Sequence, residues 1–414
     1  MQTNKRKIIN DPVYGFMTLD YDLLYDIVSH PYFQRLQRIK QLGLSYLVYP
    51  GAMHTRFGHT LGATYLMGLA IDVLKNKEVP IDNDEALAVK IAILMHDIGH
   101  GPFSHTLEHA LLNKIAHEDV SKLFMLKMNK EFGGALDTAI SIFDGSYKKQ
   151  YLHQLVSSQL DMDRLDYLAR DSFFTGVSEG IVGTERIINM LNVHDQNLVV
   201  EEKGVYSIEK FIISRRLMYW QVYLHKTVVS ADSILLSALN RARYLIENGV
   251  QLECSGALKF FLSHPYSLSD FQNNDDILEQ FSLLDDYDII SALKVWRNCG
   301  DFVLSELSGK LLDRRLNKVY ISEKEIDKEK IDKCKSKIAN YYNISTEEAA
   351  WFVGANKLEN HAYDFQDQEI KVLFKDKRCL DISEASDQLD RHFLEKAVTK
   401  YYFCFPKEIG TDWL

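Results

Sequence analysis

The chain has 414 residues, 46% of them hydrophobic and 26% charged, and 48 Lys and Arg against 58 Asp and Glu give a net charge of −10. That balance excludes a disordered or fibrous chain and leaves room for one large domain with a smaller one attached. It also makes nucleic acid an unlikely partner, because a broad basic face is missing, while permitting a basic pocket for a small anion. No run of about 18 uncharged apolar residues suggests a membrane span, and the basic N-terminus lacks the apolar stretch of a secretory signal. The five cysteines (Cys254, Cys299, Cys334, Cys379, Cys404) form no CxxC pair and are odd in number, which suits free thiols and a cytoplasmic protein.

Only seven prolines occur. Pro265 alone lies between Pro102 and Pro406, so helix should dominate. Residues 1–20 read as an irregular or short-strand lead-in, with turn signals at Asp11-Pro12 and Gly15. Two short helices follow from Tyr21, broken at His30-Pro31; the second carries Phe33, Leu36, Ile39 and Leu42 at helical spacing and is closed by Gly43. After a loop at Pro50-Gly51, a long apolar helix is predicted from about His59 to Lys75, with Gly62 and Gly68 permitting close helix packing. Asp82-Asn83-Asp84 caps the next helix, which is apolar on almost every face (ALAVKIAILMHD), ends at Gly99 and must be central to the core. Ser104 is a candidate N-cap for a helix beginning at His105.

Further helices are predicted over 117–130, 135–143 and 149–170, then a small hairpin over 197–208 turning at Lys203-Gly204. A single long helix should run from Glu209 to about Asn248. Residues 250–310 read as mostly helical, 318–322 as a strand, 325–342 as a charged helix and 398–405 as a late aromatic strand. The expected fold is mainly α: a helical body over 1–310 and a small α+β lobe over 311–414.

Seven of the 14 histidines fall within residues 54–117, several times what a uniform spread would place there. His96-Asp97 sits at the end of the buried helix, where an imidazole and a carboxylate are costly without a compensating partner. His59 begins the preceding helix, so antiparallel packing would bring the two ends together. Asp163, in LDMDRLDYLARD, adds a carboxylate from a separate helix. The resulting two-nitrogen, two-oxygen set suits a divalent transition metal and would leave positions open for water and a substrate oxygen. A bland alternative is a histidine favoured at a helix C-terminus by the dipole alone.

The ordered segments H-T-R-F-G-H (54–59), L-M-H-D-I-G-H-G-P-F-S-H (94–105) and M-D-R-L-D-Y-L-A-R-D (162–171) resemble the HD-domain phosphohydrolases. More narrowly, they resemble the branch of deoxynucleoside triphosphate (dNTP) triphosphohydrolases. The likeness extends to N-D-P-V-Y-G (10–15), F-Q-R-L-Q-R-I-K-Q-L-G (33–43) and R-R-L-M-Y-W-Q-V-Y-L-H-K (215–226), with an HD core at about 54–171. It implies a helical bundle that hydrolyses dNTPs to deoxynucleoside and inorganic triphosphate by water attack at the α-phosphorus. It implies one divalent ion (Mn, Fe, Co, Ni, Zn or Mg) on His59, His96, Asp97 and Asp163. His105 corresponds to the family's catalytic histidine, with Glu108 a helical turn away to hold it, and His117 completes the catalytic set. Arg56, Arg164 and Arg215 correspond to phosphate-binding positions, with His100 and His117 as further donors.

By the same resemblance, Gln41, Leu42, Tyr167 and Asp171 select the sugar, while Tyr223 and His225 lie near the base. Arg164 and Arg170 could instead pair with Asp161, Asp166 or Asp171 along their own helix, and Tyr223 could simply be core. The branch's guanine-activator positions hold Ser29 and Gln37 here, with Lys7, Asn10 and Arg35 retained, which weakens the case for that kind of activation by a nucleotide. No SAM domain is expected, and a homodimer or homotetramer is. Two rival readings remain at this stage: a phosphohydrolase for another nucleotide, such as a monophosphate or signalling nucleotide, and a non-catalytic nucleotide sensor.

Overall fold

The computed structural model describes residues 7–103, 115–360, 363, 369–389 and 398–411. The chain begins with an antiparallel hairpin of β1 (Lys7–Asp11) and β2 (Gly15–Leu19). Its turn is held by Asp11 Oδ1, which accepts the Val13 and Tyr14 amides at 2.9 and 3.0 Å, an Asx turn around Pro12. Helix Asp22–Ser29 follows, then Pro31–Gln34 and a 3-10 turn Arg35–Arg38. The second helix is therefore shorter than its apolar spacing suggested. Ile39 is extended, with its carbonyl accepting the Arg56 amide (3.0 Å), and the Gln41 amide donates to His54 O (3.0 Å). Gly43, at φ +48°, opens another 3-10 turn and caps nothing.

That pairing also moves the start of the long helix. Helix α1 (Arg56–Asn76) begins ahead of His59, with Thr55 at its N-cap. By length and composition it could cross a membrane, but its most apolar stretch is 61% buried, as befits a core helix. Helix α2 (Asn83–Met95) starts with a reciprocal cap in which Asp82 accepts the Glu85 amide and Glu85 accepts the Asp82 amide. Its residues from Ile91 to Met95 are all buried. Helix α3 (His117–Glu131) follows.

The predicted helix over 149–170 is two helices, Gln150–Val156 and α4 (Met162–Thr175). Asp161 caps α4, accepting the Arg164 amide at 2.7 Å and the Ser158 amide at 2.8 Å, so the break is a built turn. The predicted hairpin lies one strand earlier than expected. Strands β3 (Leu191–His194) and β4 (Asn197–Glu201) turn at Asp195-Gln196, both at positive φ. Lys203-Gly204 instead leads into helix α5 (Val205–Met218).

The single helix expected over 209–248 is interrupted. A π-turn at Tyr219–Tyr223 separates α5 from α6 (Lys226–Glu247). The Tyr49 hydroxyl donates to Gln221 O (2.5 Å), and His225 Nδ1 accepts the Thr227 amide as N-cap of α6. Short helices fill 256–312, ending with α7 (Asp286–Trp296) and α8 (Phe302–Leu312).

Beyond α8, β5 (Lys318–Ser322), β6 (Gly354–Asn360) and β9 (Val398–Phe405) form an antiparallel sheet in the order β5-β9-β6. Strands β7 (Lys371–Leu373) and β8 (Cys379–Asp381) return to the body, where β7 pairs parallel with β4. The fold is thus mainly α with a small α+β portion. All five cysteines are free.

Candidate active site

The first turn of α1, the turn that ends α2 and the first turn of α4 converge on one point. His59 Nε2 lies 3.0 Å from Asp163 Oδ1 and 3.4 Å from His96 Nε2, and His96 Nε2 lies 3.4 Å from the same Asp163 oxygen. His59 is fully buried, while Asp163 keeps a side open to the cleft. Each imidazole has its other nitrogen engaged. His59 Nδ1 donates to Asp166 Oδ2 at 2.7 Å, and His96 Nδ1 donates to Ile93 O at 2.6 Å. Both Nε2 atoms therefore face one carboxylate oxygen, so positive charge must stand among them, as protons on the rings or as a bound cation in their place. Adjacent ligands on an ion with bonds of about 2.1 Å stand about 3 Å apart, so the three residues fit a divalent metal.

The local charge agrees with that fit. Burial disfavours a protonated His59, but hydrogen bonds to Asp163 and Asp166 outweigh it and lift the imidazole to about 10. His96 is raised too, its burial outweighed by Asp97 and Asp163. Asp163, although partly shielded from water, is held well below the usual carboxylate range by His59 and His96. Three carboxylates, of Asp97, Asp163 and Asp166, surround the two imidazoles, so the nest favours positive charge.

Asp97 sits at the edge of the cluster. Its Oδ1 lies 3.3 Å from His96 Nε2 and 3.2 Å from His100 Nε2, and its Oδ2 lies 3.7 Å from His59 Nε2. Arg56 Nη1 donates to that Oδ2 at 2.5 Å. The His100 and His117 rings stack at 3.7 Å, and Asp97, His100 and His117 make a second possible metal group beside the first. Burial and the Arg56 charge push His100 down to about 3, which leaves a neutral ring at the cleft wall.

The alternative in which Arg170 pairs with Asp166 along its own helix holds, but its place beneath His59 was not foreseen. Asp166 is bound by Arg170 at 2.9 and 3.1 Å, and Arg170 reaches Asp11 at 2.8 Å. Gly62 makes room for this chain of charges, since a Cβ there would stand 2.1 Å from Asp166 Oδ1 and 2.2 Å from Arg170 Nη2. Gly68 has no such duty; its nearest neighbour would be Lys90 at 3.5 Å. The detectable signal was a glycine in α1 facing an Asp-x-x-x-Arg pair on α4.

One cleft of about 390 Å³, open to solvent, joins the cluster to a tyrosine-lined end. Gln41, Leu42, Arg56, Asp97, His100, His117, Asp163, Arg164, Tyr167, Asp171 and Tyr223 all line it. Tyr219, Val228 and Asp232 line it as well, and the sequence reading did not name them. Two expected contacts are absent from the wall. His225 Nδ1 caps α6, and Arg215 is not on the wall itself but lies close enough to Tyr167, which is, for its charge to act on that ring. Arg164 lines the cleft but is pre-engaged, donating to Ser158 O at 2.6 Å and pairing with Asp161 at 3.3 Å. Asp171 is held on both oxygens, by His54 Nε2 at 2.8 Å and the Tyr223 hydroxyl at 2.7 Å. Ser104, His105 and Glu108 lie outside the described residues.

A family model described as HD domain matches residues 56–171, and one described as HD associated region matches 182–252. The uncharacterized protein YwfO of Bacillus subtilis is 33% identical over 320 residues, covering 76% of this chain and 71% of that protein. A crystal structure of a phosphohydrolase from Bacteroides thetaiotaomicron superposes with a TM-score of 0.94 at 53% identity, over 97% of this chain and 99% of that one. This chain belongs to the HD-domain phosphohydrolase family. Human SAMHD1, a deoxynucleoside triphosphate triphosphohydrolase, is 30% identical over 301 residues, covering 62% of this HD phosphohydrolase and 47% of SAMHD1. The paired His and Asp side chains at 59, 96, 97 and 163 accordingly belong to a metal-dependent phosphohydrolase.

Proposed function

We propose that this HD phosphohydrolase cleaves dNTPs at the α-phosphorus, releasing a deoxynucleoside and inorganic triphosphate. The observation that carries the reading is that a single cleft holds metal-binding groups at one end and Tyr167, Tyr219, Tyr223 and Asp171 at the other, with Gln41 and Leu42 alongside. That is the layout of an anionic chain joined to a ring-bearing sugar. Its likeness to human SAMHD1 supports the substrate class.

In this reading His59, His96, Asp97 and Asp163 hold one divalent ion. When bound, such an ion supplies a Lewis acid for an α-phosphate oxygen and a water of lowered pKa. Arg56 and Arg164 orient the phosphates, Arg164 by exchanging its Ser158 carbonyl for substrate oxygen. His117 donates to the same oxygens. Tyr167 packs against the deoxyribose, and Asp171, aligned by His54 and Tyr223, accepts the 3′-hydroxyl. Water adds to phosphorus, the bond to the 5′-oxygen breaks, and that oxygen takes a proton from His105, held by Glu108.

Incubation with each dNTP and a panel of divalent ions in ¹⁸O-water tests this. The expected products are unlabelled deoxynucleoside and triphosphate carrying one ¹⁸O; stepwise release of single phosphates would overturn it. A second reading, a nucleotide with fewer phosphates, is favoured by the pre-engaged Arg164 and by Arg215 standing off the wall. Turnover confined to monophosphates in the same assay would select it.

A further inference from the structure

The turn that begins α7 lies beyond both family-model matches, which end at residues 171 and 252, yet it grips both rims of the cleft. Asp286 is buried, and its two oxygens face opposite ways. Oδ1 accepts the Phe103 amide at 3.1 Å. Oδ2 accepts the Lys40 amide at 2.9 Å and the Lys40 ammonium at 3.4 Å. Phe103 and the residues after Lys40, Gln41 to Ser45, line the cavity, and Asp286 does not. Phe103 also adopts φ +46°, a left-handed conformation that a β-carbon disfavours and that persists only where its surroundings impose it. Two residues earlier in the same turn, Leu284 O accepts Arg35 Nη1 at 3.1 Å, while Arg35 Nη2 donates to Ile98 O at 2.8 Å inside the His96–His100 turn.

We propose that Asp286 is a positioning residue for the reaction, a single carboxylate that fixes the sugar-side rim at Lys40 and the backbone at Phe103. His105, the proton donor of the proposed reaction, follows Phe103 by two residues in the sequence, so the anchored amide is the described backbone next to it. Arg35 braces the same turn against the metal-bearing segment. The inference deepens the proposed reaction and rests on it for the proton step alone.

The test is Asp286→Asn in the metal-loaded full chain, with three readouts. The first compares turnover of dNTPs with turnover of bis(p-nitrophenyl) phosphate, whose leaving group needs no acid. The second is bound metal. The third is amide hydrogen exchange over 38–45 and 98–103. Expected are a loss of about tenfold or more on dNTPs, little change on the aryl ester, unchanged metal, and faster exchange in both segments. Equal loss on the two substrates, or wild-type exchange in either segment, overturns the proposal. Should the wild type cleave the aryl ester but no dNTP, the dNTP reading fails and the exchange measurement alone judges Asp286. If Asp286→Asn does not fold, Asp286→Glu keeps the charge against Lys40 and should show the same split, smaller; wild-type behaviour in both activity and exchange would overturn the role.

Discussion

Asp166 acts on His59 as the Ile93 carbonyl acts on His96: each accepts a hydrogen bond from Nδ1 and turns Nε2 toward Asp163. The consequence is testable one residue at a time. Asp163→Asn removes the carboxylate charge shared by both imidazoles and should abolish turnover and weaken metal retention; normal activity would refute its role as ligand. Asp166→Asn leaves every ligand in place but loosens the His59 tautomer. Metal affinity measured by competition with a chelator should fall by about 10–100-fold, and an unchanged affinity would mean Asp166 serves only Arg170. The ligand types were legible in the sequence because His-Asp at the end of an apolar helix is expensive unless used. Asp166 was not, since nothing along the chain separates a carboxylate facing a histidine from one facing solvent.

At the scale of elements, two contacts set how the helices bring those residues together. Gly62 lets α1 lie against α4 over the Asp166–Arg170 pair, so Gly62→Ala should destabilise the fold by about 1–3 kcal/mol in chemical denaturation, as other overpacked sites do. A stable, unshifted Gly62→Ala would show that the pair yields readily. Glu85 closes the cap of α2 and reaches across to Lys149 (2.6 Å) and the Tyr147 hydroxyl (2.8 Å). Burial disfavours its charge, but Lys149, Tyr147 and the Asp82 amide outweigh that and lower its pKa. A lowered carboxyl contributes stability that is present above its unfolded value and is lost as pH falls through the folded one. Glu85→Gln should therefore cost about 1–3 kcal/mol at neutral pH and progressively less under acid, read from denaturant midpoints across pH. Boundaries with side-chain caps, such as Asp82, were readable. The breaks at 157–161 and 219–225 were less so, because they depend on partners far along the chain, such as Tyr49 for Gln221.

For the whole molecule, the C-terminal strands are not an appendage. β7 pairs with β4 and buries Val372 against the body, so the hairpin β3–β4 is finished by residues some 170 positions later. A chain cut after residue 310 would expose that edge and is expected to aggregate or unfold in gel filtration and circular dichroism; a monodisperse, folded 1–310 fragment would contradict this. Metal should act globally as well. An ion held at 1,000 times its dissociation constant adds about 4 kcal/mol of stability, so chelation should lower the melting temperature, and Asp163→Asn should remove most of that response.

The mainly helical class, the candidate ligand types and their order were legible along the chain, because proline scarcity, apolar helices and buried ionisable pairs are local properties. Packing set which carboxylate orients which histidine, that His225 caps α6, and that Asp286 joins the two rims of the cleft. Hydrogen bonds between residues more than a hundred positions apart carry no periodicity, and only the packed helices bring their partners within 3 Å.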